Sequence, residues 1–355
     1  MFSKQFISLD IGSQNIKMAC GKYRKNKVYI NELMMTETPN HSIEDGNIID
    51  ETRLTDAIEE LLDMNRVKAK EVIFTTNGAD IMNREITVPL VEEEELDTVV
   101  QFEIQQYLPI VMKDYIIQYN TLGKIKDENS QGIKDRLKIF TITYPKRIVE
   151  QYLKLAESLE LKPEALDVNF NAVSKLFKND LLINEEAFSI EETAALIDMG
   201  AEKISVNIFS KGKMEFSRSV ESGGSSIDKN LARVFEVSLK DGEKRKKEFS
   251  DLLEEKKEQH MGSLNAAIRE IVDEWIEEIG KILQFYKNKK VGNKIDKIFI
   301  YGGTSKLNGF SSYMEKELNI SVVNINSMSN VELSKNVIKE NMYCFLNCIG
   351  ALIRL

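Results

Sequence analysis

A chain of 355 residues, 42% of them hydrophobic, is long enough for two domains or one two-lobed unit that folds without disulfides or metals. Its 48 lysines and arginines are outnumbered by 57 aspartates and glutamates, which gives a formal charge of -9. This acidic balance argues against a nucleic-acid binder, which needs a basic face to neutralise phosphates. We therefore expect a protein or a small molecule as the partner.

The cysteines and the apolar segments indicate the compartment. Cys20, Cys344 and Cys348 are an odd number of thiols in a long chain, which is typical of a reducing, cytosolic environment. Cys344 and Cys348 could share a helix face as metal ligands, but core packing is favoured because no further ligand lies nearby. We expect no leader segment, because the apolar run at 6–9 is too short for one, and no stretch approaches the roughly 20 apolar residues of a membrane-spanning helix. We expect a cytoplasmic protein without direct membrane insertion.

The first 76 residues predict a meander of strands followed by a helix and a further strand. Apolar runs bounded by turn residues predict strands at residues 6–11, 15–21 and 28–34. The helical spacing of apolar residues predicts a helix at 52–65. The run EVIFTT, residues 71–76, predicts a buried strand.

The composition changes after the strand REITVP, residues 84–89. Four glutamates at 92–95 suit the positive N-terminal end of a helix, and Pro109 is predicted to stop that helix. A polar loop is expected at 121–135, followed by the strand LKIFTITY and a helix with Pro145 at its first position. Helix, strand and helix together predict a small α/β insertion.

The second half begins with a repeat of the opening pattern. LDIGSQNIKMAC, residues 9–20, and IDMGAEKISVNI, residues 197–208, both contain a strand, Asp-x-Gly, a short polar turn, a lysine and a second strand. The repeat predicts two similar halves. A mostly helical stretch follows at 227–289, and the last helix is predicted at 342–354.

The turn of each repeat is a candidate phosphate site. The patterns G-x-G-x-x-G and G-x-x-x-x-G-K-[ST] are both missing from the sequence. A tight hairpin turn can still hold a phosphate, because it aims consecutive backbone N–H groups at one concavity. Gly12 and Gly200 would leave room for the phosphate, Ser13 would add a hydroxyl donor, and Lys17 and Lys203 would add positive charge. A plain hairpin turn is the alternative, and the repetition favours phosphate binding.

Two acids and two glycine pairs complete the predicted site. Asp10 and Asp198 are expected to face each other across a cleft and to hold Mg²⁺ through its water ligands. Two predicted helix starts follow paired glycines, namely Gly223, Gly224, Gly302 and Gly303. Thr304 is available as a helix cap. Glycine-fronted helix starts bind anions and flat polar ligands, so the pairs fit a nucleotide between them.

The motifs DIGSQNIK, LIDMGAEK, SGGSSID and IYGGTSKLNGF occur in the order of the phosphate-1, phosphate-2 and adenosine motifs of the actin-like ATPase superfamily, which the chain resembles. The resemblance implies an α/β fold with two lobes, an RNase H-like duplicated core, and ATP with Mg²⁺ between the lobes. It implies that Glu243 contacts ribose and that Lys246 lies along adenine. It also extends the phosphate-binding turns to Gln14, Asn15 and Ala201.

The inserted segment resembles the 1C subdomain of the PilM family, type IV pilus assembly proteins related to the division protein FtsA. The implied subdomains are 1A at 1–82, 1C at 83–165, the return to 1A and hinge at 166–190, 2A at 191–228, 2B at 229–290, and 2A with the C-terminal helix at 291–355. The resemblance implies that the N-terminal cytoplasmic peptide of a PilN-like inner-membrane protein binds between 1A and 1C and keeps the protein at the inner face of the membrane. Pilus motor ATPases and a second copy of the chain are further candidate partners.

Two alternative functions remain open. A sugar or acetate kinase of the same superfamily would need a base, and Asp167 in ALDVNF is the candidate, although it could equally cap the following helix. An FtsA-like division filament is the other alternative. The 1C-like segment favours a pilus scaffold over a kinase, and an end at GALIRL without an amphipathic tail favours it over FtsA. At most a weak ATPase activity is expected.

Overall fold

The computed structural model describes residues 4–108, 110–129, 132–253, 259–335 and 337–354. The strands are β1 (Phe6–Ile11), β2 (Asn15–Arg24), β3 (Lys27–Glu37), β4 (Ile43–Glu44), β5 (Asn47–Ile48), β6 (Glu71–Thr76), β7 (Met82–Pro89), β8 (Tyr115–Asn129), β9 (Gly132–Pro145), β10 (Lys162–Val168), β11 (Leu181–Ile183), β12 (Glu186–Phe188), β13 (Thr193–Met199), β14 (Ile204–Ser210), β15 (Lys213–Val220), β16 (Lys297–Tyr301), β17 (Val322–Asn324) and β18 (Val331–Leu333). The α-helices are α1 (Glu51–Met64), α2 (Glu93–Tyr107), α3 (Lys146–Ser158), α4 (Asn169–Ser174), α5 (Gly224–Phe235), α6 (Leu239–Phe249), α7 (Gln259–Lys289), α8 (Phe310–Leu318) and α9 (Leu346–Ala351).

Two sheets of the same topology form the body of the molecule. The first has the strand order β10, β6, β1, β2, β3, β18, and the second has the order β17, β16, β13, β14, β15. In each, three antiparallel strands form a meander, and the next strand in space runs parallel to the first strand of the meander. The first sheet with α1 and α3 is lobe I, and the second with α5 to α8 is lobe II. The predicted duplicated, two-lobed core is confirmed.

The helices α4 and α9 lie between the two sheets and form a central layer. Their apolar side chains share one core with the inner faces of both lobes, from Ile30 and Ile73 of lobe I to Leu196 and Phe299 of lobe II. The two helices cross closely at Gly350, where a Cβ would lie 2.1 Å from the backbone oxygen of Ala172. Only glycine allows this approach without moving the backbone.

The outer faces of the sheets are covered by helices that follow the predicted patterns. In lobe I, Leu54 and Ile58 of α1 pack with Ile148 and Tyr152 of α3 against β1 and β6. In lobe II, the predicted apolar stripe of α7 contributes Leu264, Ile268, Trp275, Ile279 and Tyr286 to the core, with Ile271 and Ile282 packed beside it. The amphipathic spacing therefore located these helices correctly.

The insertion consists of α2 and an antiparallel sheet in the order β7, β9, β8. Val100 and Ile104 of α2 pack on Ile86, Val88 and Ile139 of this sheet. The predicted loop at 121–135 is wrong, because β8 and β9 pair over this region and project as a ribbon. Its side chains at 124–126 are exposed, so an alternating apolar pattern is not required there. Pro109 lies outside the described residues.

Two further differences concern helix ends, and a third concerns the packing of α3. Pro145 is the N-cap of α3, in extended conformation, and the first helical residue is Lys146. The helix predicted at 342–354 is present but shorter: a 3₁₀ helix at Lys339–Cys344 precedes α9, which spans Leu346–Ala351. Helix α3 packs on lobe I, and among the described residues the buried core of the insertion lies within residues 86–139.

Candidate functional site

The two repeated turns have the same backbone geometry. The N–H of Gly12 donates to the backbone oxygen of Asn15 at 3.0 Å, and the N–H of Gly200 donates to that of Lys203 at 3.1 Å. A Cβ on Gly200 would lie 2.6 Å from the same Lys203 oxygen, so this turn requires glycine. Ser13 is exposed at the tip of the first turn. The repeat therefore places two equivalent polar turns at the ends of β1 and β13.

Asp10 and Asp198 meet between the lobes, as predicted, and a third side chain joins them. The amide nitrogen Nδ2 of Asn347 donates to Oδ2 of Asp10 at 3.2 Å and to Oδ2 of Asp198 at 3.0 Å. Asn347 lies on α9 and is 3% exposed. Sequence reasoning missed this residue, although the only polar side chain in the buried segment LNCIGA was an available signal.

The charges of Lys17, Asp10 and Asp198 do not cancel. Nζ of Lys17 lies 3.5 Å from Oδ2 of Asp10. Burial alone would lower the pKa of Lys17, but the carboxylates of Asp10 and Asp198 outweigh burial and raise it. Burial raises the pKa of Asp198 to about 6, although Lys17 and Asn347 act to lower it. Two carboxylates share one ammonium group, so the cleft keeps a negative charge that a cation can balance.

The two predicted lysines are not equivalent. Lys17 stands directly opposite Asp10 on β2, whereas Ser205 holds that place opposite Asp198. Lys203 lies in the turn, and its Nζ contacts Asp45 Oδ1 at 2.6 Å and Glu221 Oε2 at 3.0 Å. Lys203 therefore joins lobe II to lobe I, and its role as a phosphate ligand stays a prediction.

The first glycine pair, Gly223 and Gly224, lies where the start of α5 packs against the second turn. The N–H groups of Gly224 and Ser225 at the start of α5 donate to the backbone oxygens of Gly200 and Ala201, at 3.0 and 2.8 Å. A Cβ on Gly223 would lie 2.5 Å from that Ala201 oxygen. Close backbone packing against the second turn therefore accounts for this pair of glycines.

The second glycine pair lies beside Asp198. Gly302 has a φ of 90°, and a Cβ there would lie 2.5 Å from Oδ1 of Asp198, whereas a Cβ on Gly303 would meet open space. The prediction that Thr304 caps a helix is wrong: residues 303–306 form a 3₁₀ turn without a side-chain cap. The hydroxyl of Thr304 instead donates to the Gly200 backbone oxygen at 3.0 Å. Gly303 leaves the space in which a ligand could lie.

The expected nucleoside residues lie next to this turn. Lys246 is buried, and its Nζ contacts the two carboxylate oxygens of Asp228 at 2.8 and 2.9 Å and the Gly224 backbone oxygen at 3.1 Å. Burial raises the pKa of Asp228, and Lys246 opposes that rise. Glu243 pairs with Lys247 at 2.6 Å. Lys246 is thus beside the adenosine motif, and Asp228 is a partner that sequence reasoning missed.

Asp167 lies at the end of β10, level with Thr75 on β6. Its Oδ2 is 2.5 Å from Nζ of Lys175, and its Oδ1 accepts from Nδ2 of Asn171 at 2.7 Å and from the N–H of Val168 at 2.9 Å. These contacts hold the start of α4. A catalytic role for Asp167 stays a prediction, and its observed contacts are structural.

Polar contacts also join the lobes around this site. Nε2 of Gln14 donates to Oγ of Ser225 at 3.1 Å, and Nδ2 of Asn77 donates to Oγ of Ser205 at 3.0 Å. Their partners are far apart in the chain, so a single sequence offered no spacing from which to pair them. Asn347 and Lys203 add further contacts between the two lobes.

No helix in the described ranges combines the length and apolarity needed to cross a membrane. Within the same part of the chain, no three His, Cys, Asp or Glu side chains group as a metal-ligand set. Cys20 and Cys348 are buried, and Cys348 is part of the central core.

The duplicated sheets and the cleft between them define an actin-like ATPase fold, and solved structures of this fold match the chain. The PilM-PilN type IV pilus biogenesis complex is 19% identical with a TM-score of 0.80, over 98% of this chain and 97% of that chain. The ethanolamine utilization protein EutJ from Carboxydothermus hydrogenoformans is 12% identical with a TM-score of 0.58, over 99% and 90%. MreB5 of Spiroplasma citri bound to AMPPNP is 12% identical with a TM-score of 0.54, over 99% and 95%.

Sequence comparison identifies the family. The family described as type IV pilus assembly protein PilM matches residues 8–349, so the chain belongs to that family. The cell division protein FtsA of Streptococcus pneumoniae is 20% identical over 255 residues, and that of Bacillus subtilis is 23% identical over 267 residues. These matches cover 66% and 69% of this chain but only 53% and 58% of the two FtsA proteins.

Proposed function

We propose that the chain is an ATP-binding scaffold of the type IV pilus inner-membrane platform and binds the N-terminal cytoplasmic peptide of a PilN-like membrane protein. The observation that carries the proposal is the family match, which runs from residue 8 to 349 and so includes both the cleft and the insertion. The solved PilM-PilN complex supports the partner, because it has the same fold over almost the whole chain.

The residues of the cleft fit a nucleotide with Mg²⁺. Asp10 and Asp198 offer carboxylate oxygens, which suit a Mg²⁺ ion that keeps most of its waters. Within the part of the chain that the structure describes, Lys17 is the ammonium group that offsets their charge, and Gly303 faces open space. MreB5, which shares the fold, is bound to an ATP analogue in its solved structure. When bound, Mg²⁺ and ATP would supply the missing positive charge and the phosphates that the turns can hold.

The proposed roles follow the arrangement of the turns. The turn from Gly12 to Asn15 and the turn from Gly200 to Lys203 would contact the phosphates through backbone N–H groups other than those of Gly12 and Gly200, which close the turns. The segments at 223–224 and 302–304, with Glu243 and Lys246, would surround the nucleoside. Since Asp167 is held by Lys175, we propose binding with at most slow hydrolysis.

Substitution of the two acids tests the nucleotide site. We expect Asp10→Asn and Asp198→Asn each to weaken Mg²⁺-dependent ATP binding by about 10- to 100-fold, the usual loss when a group that holds a metal through its water ligands is removed. Titration of a fluorescent ATP analogue, with Mg²⁺ and with a chelator, measures this loss. Asp56→Asn, on the exposed side of α1, is the matched control. Unchanged affinity in both cleft variants would refute the two-aspartate site.

The groove between lobe I and the insertion is the proposed peptide site. Phe140, Ile142 and Tyr144 of β9 are buried in the core of lobe I, while Leu137 and Ile139 of the same strand are buried in the insertion. One continuous strand therefore joins the two bodies and gives the groove a fixed wall.

Peptide binding separates the scaffold from the alternatives. We expect a synthetic N-terminal peptide of a PilN-like protein to bind the chain in isothermal titration calorimetry, and a scrambled peptide of the same composition not to bind. Sugars and acetate, offered with ATP, should not be phosphorylated. Phosphorylation of either substrate together with no peptide binding would favour the kinase and overturn the scaffold.

A further inference from the structure

The contact between the two lobes at Asn347 has an unusual composition. Its amide group donates one N–H to a carboxylate of lobe I and the other N–H to a carboxylate of lobe II, at 3.2 and 3.0 Å. Carboxylates accept hydrogen bonds and do not donate them, so the nitrogen of the amide must face Asp10 and Asp198. The phenol of Tyr301 donates to the other end, Oδ1, at 3.4 Å. All three hydrogen bonds fix the same orientation of the amide.

This amide stands where two negative groups approach each other. The Asp10 and Asp198 oxygens can lie no farther apart than the two hydrogen bonds laid end to end. At such a separation, two carboxylates repel unless positive charge lies close to them, and Nζ of Lys17, 3.5 Å from Asp10, supplies one charge for the two acids. The amide N–H₂ group is the positive end of a dipole, and it satisfies one oxygen of each acid without adding a net charge.

We propose that Asn347 is a positioning residue, which holds Asp10 and Asp198 at a fixed separation across the cleft and thereby holds the two lobes together. The inference rests on the proposed Mg²⁺ role of the two acids. It adds that the separation of these acids is set by a neutral side chain of the central layer, so that the protein does not need the cation to close. Asn347→Leu removes both donors at similar volume, and Asn347→Asp puts a third negative charge between the acids.

A zero-length cross-link between the lobes measures closure without nucleotide. Lys203 of lobe II and Asp45 of lobe I lie 2.6 Å apart, and both are partly exposed, so a carbodiimide can join them. Mass spectrometry then quantifies the joined peptides. We expect the wild-type yield to be the same with Mg²⁺ and with a chelator. In the chelator, Asn347→Leu should shift the closing equilibrium by about a hundredfold or more towards the open form, because two hydrogen bonds to charged groups are lost.

The charged variant gives the sharper result. In Asn347→Asp the yield should be low in the chelator and should recover with Mg²⁺, but not with KCl of the same ionic strength. Tyr301→Phe, which frees one end of the amide, should give an intermediate yield. Asn288→Asp, on the exposed side of α7, is the control and should behave as wild type.

Two outcomes would overturn the proposal. One is a folded Asn347→Leu protein that cross-links as wild type does in the chelator. The other is an Asn347→Asp protein whose cross-link yield is the same with Mg²⁺ and with the chelator. This second measurement tests the proposal even if the leucine variant fails to fold. The cross-link is measured without ATP, so a failure of ATP binding would be seen separately in the titration of the ATP analogue.

Discussion

The β1–β2 and β13–β14 hairpins have one backbone design and two different charge arrangements. Both turns close with the same glycine-to-carbonyl hydrogen bond, and both first strands have an aspartate as their second-to-last residue, which reaches the cleft. The first hairpin then places Lys17 opposite its aspartate, while the second places Ser205 there. The first copy therefore supplies the ammonium group inside the cleft, and the second uses its lysine to join the lobes.

The difference shows that the register of a hairpin, and not the order of residue types, decides what a charge does. Lys17 follows Asp10 by seven positions, which is the cross-strand position, whereas Lys203 follows Asp198 by five and stays in the turn. A shift of two residues moves the ammonium group from a buried carboxylate to two partly exposed ones. Removal of Lys17 and removal of Lys203 should therefore have very different effects on the stability of the protein.

Removal of Lys17 should have the largest effect. Lys17→Met leaves Asp10 and Asp198 in the cleft without an ammonium group, and loss of one partner of a buried ion pair costs about 3 kcal/mol. Urea unfolding monitored by circular dichroism, in a chelator, measures the loss. Added Mg²⁺ should restore part of it, because the cation can replace the missing charge.

Lys22→Met is the matched control for this prediction, since Lys22 lies on the same strand away from the cleft. It should lose far less stability and should not respond to Mg²⁺. Equal losses in the two variants would show that the Lys17 charge is unimportant and that the first hairpin is not specialised.

Asp198, the acid of the second hairpin, should have the next largest effect on the free energy of unfolding. This effect depends on pH. The pKa of Asp198 is raised from 3.8 to about 6, so the folded protein binds more protons than the unfolded chain between these values. The contribution of Asp198 to the free energy of unfolding therefore falls as pH rises from 3.8 to about 6, and it does not fall further at higher pH. Partial exposure limits the fall to about 2 kcal/mol.

The comparison of wild type with Asp198→Asn isolates this group. As pH rises through this window, the unfolding free energy of wild type should fall relative to that of the variant. Mg²⁺ should make this relative fall smaller. A difference that stays constant with pH would mean that Asp198 keeps an ordinary pKa.

Most of the architecture could be read from the sequence because its signals are local. The strand–turn–strand repeat and the apolar stripe of α7 lie in continuous stretches, and both were confirmed. The β8–β9 ribbon could not be read in this way. Its side chains at 124–126 are all exposed, the apolar Ile125 included, so no buried face marks the segment as a strand, and strand pairing holds the backbone in place.

The candidate site was only partly predictable for the same reason. Asp10, Asp198 and the turns belong to the repeat, so one sequence was enough to find them. Asn347 and Asp45 reach the site from distant parts of the chain, and only the fold brings them together with Asp198 and Lys203. A buried asparagine in an apolar helix indicates a polar partner but not which one.

Removal of Lys203 should have the smallest effect, and it completes the comparison. Its ion pairs with Asp45 and Glu221 are partly exposed to solvent, so water and salt screen them. In a double-mutant cycle of Lys203→Met with Asp45→Asn, we expect a coupling free energy of about 0.5 kcal/mol that decreases with added salt. The exposed pair of Lys229 with Glu202 provides the reference value. A coupling free energy as large as the stability lost in Lys17→Met would contradict the division of roles between the hairpins, because a partly exposed ion pair should contribute less than a buried charge.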